Sequence, residues 1–62
     1  MVVQLMDRIA GTPVYVNPTY VVSLRPEPTE LDRASIVKLQ DGETIHVNGE
    51  HTEVAEKLAR SR

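Results

Sequence analysis

Two histidines, three serines and nine acids are the side chains of this 62-residue chain with the reach for acid–base, nucleophilic or metal chemistry. The serines are Ser23, Ser35 and Ser61. None sits in the glycine-flanked elbow that exposes a nucleophile, and no third residue is placed by spacing to orient His46 or His51. His46, Glu50, His51 and Glu53 are close in sequence but match no zinc spacing. Residue types instead predict a strand histidine facing solvent at 46 and a helix-start histidine at the sheet edge at 51. A domain this small, with one helix, offers little concavity to exclude water. The expectation is therefore no enzyme, no cofactor and no metal site.

Charge bears on the partner. Seven Lys and Arg are scattered among the nine acids, giving a formal charge of −2. Arg60 and Arg62 make a small basic end, which also suits the negative pole of a helix. Tyr15 and Tyr20 are the only aromatics, too few for a base-stacking platform. Both features argue against a nucleic-acid partner and leave a protein partner as the expectation. Apolar runs are only a few residues long, so no transmembrane segment is expected. Met1 is followed by Val-Val-Gln-Leu, without the basic and long apolar regions of a secretory signal, so the expected compartment is the cytoplasm.

Length allows a single domain over residues 1–62. A chain this size buries only about 60% of its unfolded surface, so its own core is marginal. With no cysteine, disulfides and thiolate metal sites are absent as staples. A compact core, an oligomer, or both must supply the stability.

The elements follow from pattern. Val2 to Met6 is apolar and β-branched and reads as a first strand. Residues 7–12, with Gly11, read as a turn, and Ile9 inside it as a plug tucked under the sheet. Val14, Tyr15 and Val16 make a second strand. Asn17-Pro18-Thr19 breaks it, because Asn17 can accept a backbone N–H two residues on and Pro18 pre-sets φ. Tyr20 to Arg25 is a third strand. Two prolines and four charges make Pro26 to Arg33 a solvated loop. Ser35 to Leu39 and Thr44 to Val47 are the fourth and fifth strands. A three-residue loop, Gln40-Asp41-Gly42 with Gly42 left-handed, pairs Val37 with Ile45 and Ser35 with Val47. That register is favoured over a two-residue loop, which would set apolar residues against polar ones.

A helix follows over about eleven residues, Glu50 to Arg60, too short to persist alone in water. Asn48 is the expected N-cap, and Glu50 and Glu53 complement the positive pole. His51, Val54, Ala55 and Leu58 share one face. Glu53 with Lys57 and Glu56 with Arg60 are spaced for ion pairs on the other. The fold class expected is α+β: a small, mostly antiparallel five-stranded sheet followed by one C-terminal helix docked through Val54 and Leu58.

One short helix cannot cover both faces of five strands. Strand alternation puts Tyr20, Val22 and Leu24 on one face and Val21 and Ser23 on the other. It sets Ile36 opposite Val37 and Leu39, and Tyr15 opposite Val14 and Val16. Tyr15, Tyr20, Val22 and Ile36 are thus the expected members of an uncovered apolar surface, available for self-association as a dimer or higher oligomer. Leu31, alone among charges in the loop, is the further candidate contact.

The run Ile9 to Leu24 resembles the start of the FlbD/SwrD family of small flagellar proteins. Gly11, Asn17, Val21 and Leu24 sit at matching places. Ile36 to Gly42 resembles the family's apolar hairpin with its Asn-Gly or Asp-Gly turn, and Val47, Val54 and Leu58 also fit. The Pro26–Arg33 loop is longer than the family's, and the C-terminal helix is mixed in charge where the family's is basic. The resemblance implies a cytoplasmic accessory of flagellar motility and supplies no catalytic residue. The expected function is a non-enzymatic protein-interaction module of that type. The alternative is a small regulatory protein, of the kind phages encode, that binds a host protein or nucleic acid.

Overall fold

The computed structural model describes residues 2–60, so Ser61 and the Arg62 part of the basic end lie outside the described residues. Its elements are β1 (Val3–Met6), β2 (Pro13–Val16), a 3-10 turn (Pro18–Tyr20), β3 (Val21–Pro26), β4 (Ala34–Leu39), β5 (Thr44–Asn48) and α1 (His51–Arg60). The class is α+β, with antiparallel pairing throughout.

The strands do not form the single five-stranded sheet expected from pattern. β1 and β2 make a two-stranded sheet, and β3, β4 and β5 a three-stranded one in that order. A lone bridge between Asp7 and Val47 joins them. At this point β1 changes partner: the Asp7 N–H bonds to the Thr12 carbonyl, and the next N–H, of Arg8, bonds to the His46 carbonyl at 2.8 Å. The physical reason lies in the apolar surplus. Val3, Leu5 and Val16 can leave water only if their sheet folds over the other. They do so, joining Val37, Ile45, Val47, Val54 and Leu58 in one core. The cover that one helix could not supply comes from β1 and β2.

Local grammar holds in two turns. The Asn17 side chain accepts the Thr19 N–H at 2.9 Å and opens the 3-10 turn, with Pro18 at its first position. In the β4–β5 hairpin the Leu39 N–H bonds to the Glu43 carbonyl, and Gly42 is left-handed at φ 91. Val37 lies opposite Ile45 and Ser35 opposite Val47, the register of the three-residue loop.

The strand after Asn17 departs from expectation. Tyr20 belongs to the 3-10 turn, and a register shift between Val21 and Ser23 breaks the strict alternation of β3. A bulge adds one residue to one strand and so re-aims the side chains beyond it. Val21 and Leu24 both pack against the core, whereas Val22 points out. The Tyr20/Val22/Leu24 row therefore does not exist as one face.

Ile9 is not a plug; it is 78% exposed. The Asp7 carboxylate accepts the N–H groups of Ile9 and Ala10, both at 2.9 Å, and curls the turn outward.

Helix α1 starts at His51, one residue later than expected, and Val54 donates its first backbone bond to Glu50. Asn48 is not its cap but the last residue of β5, opposite Ala34. Val54 and Leu58 are buried, with α1 against β3 and β4. Glu56 and Arg60 approach to 4.0 Å on the exposed side, a pair of little energetic weight.

Candidate functional site

The five candidate contact residues fall in separate places. Tyr15 stands on β2, 63% exposed and opposite Gln4. Tyr20 and Val22 are exposed together on the path from the 3-10 turn into β3. Tyr20 also borders a shallow hollow with Leu39, Gln40 and Asp41. Ile36 is half-buried on the middle strand of the other sheet, between Arg25 and His46. Polar neighbours Ser23, Lys38 and Thr44 share its hollow. Leu31 is exposed in the 26–33 loop. Tyr15 and Ile36 thus lie on different sheets, and the second is ringed by polar groups.

An apolar face does exist, but on the two-stranded sheet. With Val3, Leu5, Val14 and Val16 turned inward, the alternation turns Val2, Gln4, Met6, Pro13 and Tyr15 outward. None of these five is charged, in a chain that is 26% charged. Val2, Met6 and Tyr15 are all exposed. Met6 lies opposite Pro13, so it is the diagonal neighbour of Tyr15, about 7–8 Å away and within reach of an aromatic ring. Of Val2 and Val3, which pattern leaves as alternatives for an uncovered position, Val2 is exposed and Val3 is buried. Met6 is not legible as a contact residue, because a single sheet would place it without the fold-over that decides its side.

His46, Glu27 and Glu30 are engaged away from this face. His46 does not face open solvent: its Nδ1 lies 2.7 Å from Glu27 Oε2, with the Glu27 side chain only 15% exposed. The imidazole N–H donates to the carboxylate there. Arg8 pairs with Glu30 at 2.8 Å. Backbone bonds from Glu27 N–H to the Ala34 carbonyl, and from Ala34 N–H to the Glu30 carbonyl, hold the same loop. The Pro26–Arg33 segment is thus strapped to β4, to β5 and to the first turn, and is not a freely solvated connection. Nothing in the spacing pointed to this, since Glu27 and His46 are 19 residues apart. His51 is half-buried at the start of α1, and its Nδ1 has no hydrogen-bond partner.

Among the described residues, no group of three or more His, Asp or Glu side chains is placed to hold a metal ion. No helix among them is long and apolar enough to cross a membrane. A hollow of about 220 Å³ lies between β1 and α1, lined in part by Gln4, Asn48, Glu53 and Lys57, and it is open to solvent. No family model, curated protein or solved structure matches the chain.

Proposed function

We propose that the chain is a non-catalytic protein-interaction module that binds through the outward face of the β1–β2 sheet. The observation that carries this reading is the uncharged, exposed pair Met6 and Tyr15 on one face of β1–β2, with exposed Val2 immediately before β1. Apolar side chains gathered on one face mark association surfaces more often than singly scattered ones do. Tyrosine suits such a face, with a large rigid ring and a polar tip. Engagement of His46 by Glu27 and of Arg8 by Glu30 supports a structural role for those groups. The setting proposed is that of a FlbD/SwrD-type accessory of flagellar motility, and it rests on the sequence resemblance.

Charge placed on the face tests the reading. Met6→Lys and Tyr15→Lys, each introduced into the organism that encodes the chain, are expected to reproduce the phenotype of deleting it. Colony spreading in soft agar is the readout for a motility accessory. Thermal melting of the purified variants should match the original protein. Variants that melt normally and behave as the original protein in the cell would overturn the proposal.

A further inference from the structure

The outer edge of β2 has a bonding pattern that matches itself. Asp7 donates to Thr12 in line with the β1–β2 register. Antiparallel ladders alternate bonded and non-bonded pairs. Leu5–Val14 and Val3–Val16 are therefore bonded pairs, and Gln4–Tyr15 and Met6–Pro13 are not. Tyr15 consequently turns both its N–H and its C=O away from β1. Pro13 turns out a carbonyl and has no N–H to leave unpaired. Asn17 is still extended, so its N–H points the same way, while its carbonyl is taken by the Tyr20 N–H at 3.0 Å. Among the described residues, β2 pairs with no strand but β1.

We propose that β2 pairs antiparallel with β2 of a second copy, about a two-fold axis through Tyr15, to build a four-stranded sheet. In that register each Tyr15 exchanges two backbone bonds with its counterpart. Each Asn17 N–H reaches the Pro13 carbonyl across the axis. The missing Pro13 N–H falls opposite the Asn17 carbonyl that is already occupied, so no edge group is stranded. Two-fold symmetry sets a residue at the axis against its own kind, and the residue at this axis, Tyr15, and its outward neighbour on β2, Pro13, carry no charge to oppose that. A foreign strand would need to match the same gaps by chance. The edge of β3 is less suitable, blunted by its register shift and by Pro26.

The size of the edge bounds the contact. A standard dimer removes roughly 800 Å² from each partner, about a fifth of the 4190 Å² this chain exposes. The four-residue β2 edge covers less, which puts the contact among weak, transient associations, with a dissociation constant of roughly 0.1–1 mM.

This inference concerns the same sheet as the proposed function, its β2 edge in place of its outward side chains, and is tested without any other protein. Sedimentation equilibrium between about 20 μM and 2 mM brackets the expected constant. The mass is expected to rise from 6.9 kDa toward twice that value. A chain made by synthesis with an N-methyl group on the Tyr15 amide removes one edge donor and keeps the side chain; it should stay monomeric and melt normally. A single monomer mass throughout would overturn the inference and leave the edge to another protein, with the interaction-module reading intact. A dimer that survives N-methylation would overturn it as well, placing the contact elsewhere.

Discussion

The Ser35 hydroxyl donates a hydrogen bond of 2.7 Å to the carbonyl of Gly49. Ser35 is fully buried on the middle strand, and Gly49 is the joint between β5 and α1. The Gly49 N–H in turn bonds to the Arg33 carbonyl at 2.7 Å. One buried side chain thus fixes where the helix leaves the sheet, and so how Val54 and Leu58 reach the core.

Ser35→Ala removes this bond from a part-buried joint without adding a useful apolar contact. The cost expected is about 0.5–1.5 kcal/mol, the net worth of one intramolecular hydrogen bond. Urea unfolding measures it, and an unchanged midpoint would show the bond to be dispensable.

Gly49 has φ 117, and a Cβ there would meet Val54 Cγ2 at 3.3 Å. Gly49→Ala therefore meets backbone strain and a crowded neighbour together. A loss of about 1–3 kcal/mol is expected from the strained conformation. Substituting Gly42, also left-handed but with nothing within 4 Å of its Cβ, should cost less. Equal losses at both positions in thermal melts would contradict the crowding argument.

The Glu27–His46 contact should couple the strap to β5. A double-mutant cycle with Glu27→Ala and His46→Ala isolates the pair from its surroundings. A coupling of about 1 kcal/mol is expected, below that of a buried charged pair because the imidazole is partly exposed. The same cycle on Arg8 and Glu30, each about a third exposed, should give a coupling of no more than about 0.5 kcal/mol. The reverse ranking would mean that the Arg8 pair, not the histidine, holds the loop.

Much of the fold is written locally. The Asn17 turn and the Gln40-Asp41-Gly42 hairpin depend on residues two to four apart, and both are legible. The helix face is legible because Val54 and Leu58 are one turn apart. What sequence pattern cannot supply is non-local. The partner change at Asp7 and Arg8 depends on a strand about 40 residues away, whose closure no short-range pattern encodes. The register shift after Val21 depends on how β3 meets Leu39 and Lys38. For the candidate surface, Tyr15 is legible as outward from its neighbours Val14 and Val16. Val2 and Met6 join it only through the fold-over, and Ile36 is separated from it for the same reason.

The central claim is that the outward face of β1–β2 is where another protein binds. Photo-crosslinking in the encoding organism, from a benzoylphenylalanine at position 15, tests it most directly. A discrete heavier adduct is predicted from position 15, lost when Met6→Lys is added and absent when the probe is moved to position 56 on the exposed side of α1. A crosslink pattern that is the same from positions 15 and 56, or one that Met6→Lys leaves unchanged, would contradict it.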